Sequence, residues 1–227
     1  MKKKELNGYP HVAYERDIYP LPEAEKRAKE YYEWLDTRRT VRDISDKPIS
    51  RELINNLIMA GSTAPSGAHK QPWTFCAISN PEMKKKIREA AEKEEYDSYH
   101  GRMSDRWIKD LKPIGTDWNK PFLEEAPWLI IIFKRVFEND ENGEKVNNYY
   151  VNESVGIACG MIISAIHKAG LVTLTHTPSP MNFLTKILER PDNERPYLLL
   201  PIGYPKDDVY VPELKRKELD EVAVFYE

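Results

Sequence analysis

Residues 151–169 restrict the possible folds of this chain more than any other segment. Their pattern is helical, with apolar residues on nearly every side, and Gly156 and Gly160 stand four positions apart. A helix without a polar face must be buried all round. In a chain of 227 residues, this pattern predicts a helix at a subunit interface, where the two glycines allow close backbone contact. The alternative is a central core helix within one subunit.

Shorter apolar runs predict the strands of the fold. Four runs have the length and the nearly continuous apolar character of buried strands: residues 73–78, 128–133, 171–175 and 197–202. Helical patterns begin near Pro22, Ser50 and Pro81. The chain ends in a further apolar run, residues 222–226, after a polar connection. We expect this terminal run to form a strand that pairs with a neighbouring subunit's sheet.

The charge, cysteine and histidine content excludes several classes of function. A formal net charge of −3 does not favour nucleic acid. Cys76 and Cys159 lie far apart in apolar segments, which predicts buried thiols in a reducing compartment. No N-terminal run resembles a signal peptide and no stretch is long enough to cross a bilayer, so we expect a soluble, cytoplasmic protein without membrane contact. The histidines show no metal-ligand spacing, so no metal site is predicted.

Two neighbouring clusters carry the candidate chemistry. The first, Arg38-Arg39-Thr40-Val41-Arg42, places three guanidinium groups and a hydroxyl within five residues. The second, residues 64–73, is a loop of proline and small residues that leads into an apolar run. Arginine presents a planar fork that suits phosphate oxygens, and a loop of small residues can lie against a flat ring. Together the clusters indicate a flavin mononucleotide (FMN) site. The alternative for the first cluster is a solvated charge run between helices.

In this order and spacing, the two clusters resemble those of the nitroreductase superfamily of flavin enzymes, and the similarity to its iodotyrosine deiodinases is closer. Four segments carry the resemblance, residues 63–75, 94–120, 149–177 and 200–219, and His69 stands where typical nitroreductases have asparagine. The resemblance implies an α+β fold, with a mixed β-sheet flanked by helices, in an intertwined homodimer whose C-terminal arm adds a strand to the partner's sheet. We expect one domain, residues 1–227, with an N-terminal arm (1–20), a lid (90–120) and a C-terminal arm (205–227).

The resemblance also implies which residues bind FMN: Arg38, Arg39, Thr40, Arg42, Pro65, Ser66, Thr175, His176, Thr177 and Arg216. The first arginines and Arg216 would hold the phosphate side, and Arg42 would approach the pyrimidine edge. Pro65 and Ser66 would reach the flavin from across the dimer. Thr177 is the implied catalytic residue, because a hydroxyl hydrogen-bonded to flavin N5 favours one-electron chemistry.

For the substrate, the resemblance implies a site for a zwitterion, formed by Glu95, Tyr99 and Lys120. Glu95 and Tyr99 are four apart on a predicted helix and share a face. A carboxylate and a phenol there can meet an ammonium group, and Lys120 can meet a carboxylate. The amide N–H of Ala68 can donate to a substrate phenolate, because a halogen lowers the pKa of a phenol below the ordinary tyrosine value of about 10. The expected function is FMN-dependent reductive dehalogenation of iodotyrosine and related halotyrosines.

Two other functions stay open at this stage. A general NAD(P)H-dependent nitro- or quinone reductase on the same fold would reduce nitroaromatics quickly and bind zwitterionic tyrosines weakly. A sensor that binds flavin or another ligand would support no turnover with any halophenol. Without the resemblance, Glu95 belongs to an ordinary charged helix and Lys120 is one surface lysine among many.

Overall fold

The computed structural model describes residues 2–227, which divide into two compact units after Arg38. The first unit contains an antiparallel hairpin, β1 (Lys3–Leu6) and β2 (Tyr9–Val12), and helix α1 (Leu21–Asp36). Asn7 and Gly8 form the hairpin turn with positive φ angles of 53° and 80°, as two-residue hairpin turns require. The predicted N-terminal arm therefore contains a hairpin that the sequence analysis missed, although Asn-Gly is typical of such turns.

The second unit, residues 39–227, contains the remaining elements. In chain order they are α2 (Arg51–Ser62), β3 (Trp73–Ile78), α3 (Pro81–Asp97), α4 (Asp105–Leu111), α5 (Phe122–Glu125), β4 (Trp128–Arg135), β5 (Phe137–Asn139), β6 (Lys145–Asn147), α6 (Val151–Lys168), β7 (Val172–Thr173), α7 (Asn182–Ile187), β8 (Glu194–Gly203) and α8 (Leu219–Val222). Helices α1, α2, α3 and α6 confirm the predicted helices. The four predicted strands are confirmed as β3, β4, β7 and β8, although β7 keeps only two residues.

The central sheet has the strand order β3-β4-β8-β7. Every neighbouring pair in it is antiparallel, so the prediction of a mixed sheet is wrong for the strands of residues 2–227. The reason lies in the connections: the chain between β3 and β4, and the chain between β4 and β8, each return to the end of the sheet at which the preceding strand stopped. Neighbouring strands of the sheet therefore run in opposite directions. Helix α6 carries the chain back across one face of the sheet, from the end of β4 to the start of β7, which is parallel to β4 but is not its neighbour.

The sheet is buried on both faces, which explains why its strands are unbroken apolar runs. Along β4, Ile130 and Ile132 pack with α2 and α6 on one face. Leu129, Ile131 and Phe133 point to the other face, where residues of α3, α5 and α7 cover them. This alternation follows from the two-residue period of a strand. The fold therefore has helices on both sides of an antiparallel sheet, in agreement with the predicted α+β class.

Helix α6 has two different apolar sides. One side lies in the core and includes Val155, Ala158 and Ile162, which are buried. On the other side Ile157 keeps 46% of its surface exposed, and a Cβ placed on Gly160 would have no atom within 4 Å. The core interpretation therefore applies to one side of α6, and the subunit interface predicted for its other side stays a prediction.

The C-terminal segment after β8 differs from the sequence expectation. Val222 ends helix α8 instead of starting a strand, because Glu218 and Glu221 form a reciprocal capping box that begins a helical turn. Residues 223–227 pair with no strand in the described part of the chain, and the strand addition to a partner stays a prediction. Across residues 2–227, no helix is both long and apolar enough to span a membrane.

Candidate active site

The polar face of α3 and the start of the lid bring the predicted substrate residues together. Helix α3 begins at the Asn80 cap, and its last turn continues into a π-helical turn at Ser98–Arg102. Lys120 Nζ lies 3.5 Å from Glu95 Oε2, and both side chains are almost fully buried. Tyr99 donates its hydroxyl hydrogen bond to the carbonyl of Thr116 at 3.3 Å. The three side chains that the sequence predicted therefore form one cluster.

The charged groups of Glu95 and Lys120 are largely shielded from water. Burial raises the pKa of Glu95, and the neighbouring Lys120 opposes this effect. Burial likewise lowers the pKa of Lys120, opposed by Glu95. Lys120 Nζ also donates to Thr116 Oγ1 at 3.2 Å and to the carbonyl of Asp117. An ion pair held in this way can exchange its partners for the two charges of a bound zwitterion without a large new desolvation penalty.

A cavity of about 160 Å³ connects the lid with the segment after β7. It is lined by Glu95, Ser98, Arg102, Met103, Trp107, Thr177, Ser179 and Pro180. Thr177, the predicted catalytic residue, thus shares a cavity with Glu95 of the predicted substrate cluster. Sequence reasoning missed Met103 and Trp107, because the lid contains several other large apolar side chains and nothing local marks these two as lining a cavity.

The arginine cluster lies beside the segment that carries Thr177. The Val41 amide donates to the carbonyl of Thr173 at 3.3 Å, which places Arg42 next to residues 173–177. Burial lowers the pKa of the Arg42 guanidinium, whose Nη1 donates to the Ile114 carbonyl at 3.2 Å. Within residues 2–227, Arg42 forms no ion pair. A half-buried guanidinium without a carboxylate partner fits an electron-rich ligand.

Exposed and buried side chains alternate along residues 175–177. Thr175 and Thr177 are exposed, whereas His176 is buried and its ring meets Phe122 edge-on at 5.8 Å. The His176 amide and carbonyl both pair with Leu199, at 2.9 and 3.1 Å. Burial first, and then the charges of Lys120 and Arg42, lower the pKa of His176 to about 3. Its Nε2 has no hydrogen-bond partner in the described structure. The predicted flavin contact of this residue would have to come from its buried imidazole.

The loop of residues 64–71 has an unusual backbone. Ala68, His69 and Gln71 all have positive φ, between 47° and 54°, a conformation that costs about 1–3 kcal/mol for each non-glycine residue and is concentrated at functional sites. Gly67 is packed against α6, since a Cβ there would approach the Tyr150 ring to 2.9 Å. Across residues 2–227, the exposed amide N–H of Ala68 makes no hydrogen bond. The contact of this amide with a substrate phenolate stays a prediction.

The structure does not bring every predicted site residue together. Across residues 2–227, no hydrogen bond or ion pair joins the loop of Pro65 and Ser66 to Arg42 or to residues 175–177. Arg39 and Arg216 are exposed and Thr40 is half-buried. The donors present near residues 173–177, guanidinium and threonine hydroxyl groups, nevertheless suit the phosphate, ribityl and ring edges of FMN.

Comparison with known proteins identifies the family. The sequence profile of the Nitroreductase family matches residues 35–204. An iodotyrosine deiodinase of Haliscomenobacter hydrossis is 60% identical over 88% of this chain and 90% of the relative. Iodotyrosine deiodinase 1 of Homo sapiens is 46% identical over 94% of this chain and 74% of the relative. A crystal structure of oxidised iodotyrosine deiodinase, bound to FMN and 3-iodo-L-tyrosine, superposes with a TM-score of 0.73 at 29% identity, over 87% of this chain and 98% of that one. The chain therefore belongs to the nitroreductase family and, within it, to the iodotyrosine deiodinases.

Proposed function

We propose that this protein is an FMN-dependent oxidoreductase that removes iodide from iodotyrosine and halide from related halotyrosines. The observation that carries the proposal is the buried pair of Glu95 and Lys120 beside Tyr99. A general nitro- or quinone reductase acts on substrates without an amino-acid backbone and needs no such pair. The relatives that match most of this chain are iodotyrosine deiodinases, which supports the same choice.

The Glu95–Lys120 pair selects the zwitterionic end of the substrate. Its ammonium group meets the Glu95 carboxylate and the Tyr99 oxygen, and its carboxylate meets Lys120 Nζ. Each buried charge keeps an opposite charge as its neighbour, so binding leaves none of them unpaired. Charge-assisted hydrogen bonds in a site with little water are the strong ones.

The loop amide selects the other end of the substrate. The Ala68 N–H donates to the phenolate oxygen, and a halogenated phenol ionises more readily than tyrosine itself, whose pKa is about 10. The protein thereby distinguishes halotyrosine from tyrosine by charge as well as by size. The positive φ of Ala68, 48°, fixes the amide before substrate arrives and so reduces the entropy lost on binding.

Residues of the second unit hold the cofactor. Arg39, Thr40 and Arg216 contact the phosphate and ribityl groups, Arg42 the pyrimidine edge, and Thr175, His176 and Thr177 the opposite edge of the ring. Arg38, the last residue of the first unit, stays the phosphate ligand that the sequence predicts. FMN, when bound, supplies the electrons that replace the carbon–halogen bond by a carbon–hydrogen bond. The Thr177 hydroxyl would be the hydrogen-bond donor to flavin N5, and the halogen-bearing carbon of the substrate would take up a proton as the halide leaves.

The protein acts as a homodimer in this proposal. The exposed apolar side of α6, with Ile157 at its centre, is one part of the contact. Exposed Val224, Phe225 and Tyr226 form the other part by adding a strand to the partner's sheet. Pro65 and Ser66 then complete the partner's FMN site. The same proposal includes a single domain with arms at residues 1–20 and 205–227 and a lid at 90–120. It also includes a cytoplasmic location, which is compatible with the two free thiols of the chain.

The test is a titration of the purified, oxidised yellow protein with iodotyrosine, followed by reduction under nitrogen. We expect quenching of flavin fluorescence at micromolar iodotyrosine, weaker binding of tyrosine, and release of iodide after reduction. The same preparation is offered a nitroaromatic compound and NADPH. Fast nitro reduction without iodide release would favour the general reductase instead and contradict the proposal.

A further inference from the structure

Lys120 is fixed from both sides by a cluster of polar residues on α3 that none of the roles above includes. Glu92 Oε1 accepts the backbone N–H of Lys120 at 2.7 Å. The same oxygen accepts Nε of Arg88 at 2.8 Å. Glu92 lies one turn before Glu95 on the same helix, so one helix carries both the carboxylate partner of Lys120 Nζ and the acceptor of its backbone amide.

The Arg88 guanidinium extends this attachment to the residues around Lys120. Its Nη2 donates to Asn119 Oδ1 at 3.3 Å, on the N-terminal side of Lys120. Its Nη1 donates to Glu124 Oε2 at 3.2 Å, one turn after it. Three separate nitrogens of one planar group therefore contact three residues, an arrangement that the single ammonium of lysine cannot reproduce.

Lys84 adds a third attachment on the same face of α3. Its Nζ donates to the carbonyls of Glu124 and Ala126 at 2.9 and 2.7 Å, where α5 ends. Lys84, Arg88 and Glu92 are spaced four apart and thus form one stripe. The stripe holds residues 119–126 against α3, and the position of Lys120 relative to Glu95 follows from it.

We infer that Arg88 and Glu92 are positioning residues for recognition of the substrate zwitterion. They touch no substrate atom. They hold the Lys120 backbone so that its Nζ stays within reach of the substrate carboxylate while Glu95 receives the ammonium. The inference rests on the proposed function, because it concerns the charged end of an amino-acid substrate. A misplacement of a charged partner by about 1 Å is enough to weaken binding strongly.

The experiment compares two ligands in four FMN-loaded proteins: wild type, Glu92→Ala, Glu92→Gln and Arg88→Gln. Iodotyrosine carries the zwitterion, and 2-iodophenol lacks it. Isothermal titration calorimetry gives the affinities, steady-state kinetics separates KM from kcat, and thermal unfolding reports stability. We expect Glu92→Ala to weaken iodotyrosine binding about tenfold, as loss of a hydrogen bond to a charged group predicts, with the change in KM and not in kcat. Binding of 2-iodophenol stays within about twofold of wild type.

The conservative variants separate positioning from simple structural support. The Glu92→Gln side chain keeps an oxygen that can accept the Lys120 N–H, so its iodotyrosine affinity stays within about threefold of wild type. Arg88→Gln, which keeps Glu92 itself, has an intermediate effect. The control is Lys206→Ala, which removes a 2.9 Å ion pair to Glu125 in the same segment without touching the Lys120 backbone, and it leaves both affinities unchanged.

Two results overturn the inference in different ways. Equal losses for both ligands in Glu92→Ala, or no loss for either, would contradict the positioning role while the proposed function stands. Wild-type protein that binds 2-iodophenol but not iodotyrosine would overturn the proposed function, and this inference with it.

Discussion

Helices α3 and α6 are similar in length but opposite in character. Most charged residues on the inner face of α3 find partners within the chain, as Lys84, Arg88 and Glu95 do. Helix α6 buries one apolar side and leaves a second, around Ile157, exposed. A polar helix can satisfy its groups with neighbouring backbone and side chains, whereas an exposed apolar face requires another surface. The contrast fits a proposed site in which one chain recognises the zwitterionic end of the substrate, whereas the cofactor site depends on two chains.

The largest expected effect concerns the apolar side of α6. Ile157→Glu places a carboxylate in the proposed contact, and burial of two such charges in a symmetric dimer is unfavourable. We expect the dimer dissociation constant to rise by about a thousandfold, together with loss of yellow FMN. Sedimentation velocity at several concentrations measures the first effect and absorbance the second. Lys85→Glu, the same new side chain on the exposed face of α3, should leave the mass unchanged.

A monomeric wild-type protein with full FMN content would contradict the role given to α6. In that case Pro65 and Ser66 would have to contact the FMN of their own chain. The present structure offers no hydrogen bond between that loop and Arg42 within residues 2–227.

The second effect concerns the polar helix. Lys120→Ala removes the partner of the substrate carboxylate and leaves Glu95 with an unpaired buried charge, so iodotyrosine affinity should fall about a hundredfold. Reduction of a nitroaromatic compound, which lacks a zwitterion, should change by less than about threefold. The matched control is Lys109→Ala, an exposed lysine of the lid. Loss of both activities to the same degree would show that Lys120 supports the fold and not the substrate.

The sequence predicted these two helices for different reasons and with different success. The mostly apolar helical pattern of residues 151–169 identifies α6 because period and composition are local properties. The pairing of Glu95 with Lys120 joins residues 25 positions apart, across a lid with its own short helices, and only the family resemblance indicated it. The attachment of Arg88 to Asn119 and Glu124 was missed, since α3 carries many charged residues and the partners of Arg88 lie 31 and 36 residues away.

The sheet and its ends show a similar limit. Apolar runs located β3, β4 and β8, but strand direction depends on where each connection returns the chain, which no local pattern records. The inward position of His176 follows from its pairing with Leu199, a residue of β8. The capping box at Glu218 was present in the sequence but was outweighed by the apolar run that follows it.

The third effect is a pH dependence located beneath the site. Burial, with the charges of Lys120 and Arg42, lowers the pKa of folded His176 to about 3 from an ordinary 6.5. Between these values the unfolded chain binds a proton that the folded protein excludes, so stability rises with pH. Acidification from pH 7 to pH 5 should therefore lower the free energy of unfolding by about 2 kcal/mol through this residue.

Chemical denaturation of wild type and His176→Leu at both pH values measures that contribution. The variant should lose about 2 kcal/mol less on acidification than wild type, whereas His11→Leu, which removes an exposed imidazole of the first unit, should behave like wild type. Parallel pH curves for wild type and His176→Leu would show that His176 takes up a proton as readily in the folded protein as in the unfolded chain.

The smallest effect concerns Thr177, where the polar cluster and the cofactor residues meet at one cavity. In the proposed function, a hydrogen bond from its hydroxyl to flavin N5 would favour transfer of single electrons, which dehalogenation requires and hydride transfer to a nitro group does not. Thr177→Ala should therefore slow iodide release about tenfold, while nitro reduction is retained or increases. Thr177→Ser keeps the hydroxyl and should restore iodide release. A uniform loss of both reactions would instead assign Thr177 to packing of the segment after β7, and Glu95 and Lys120 alone would then distinguish this enzyme from a general reductase.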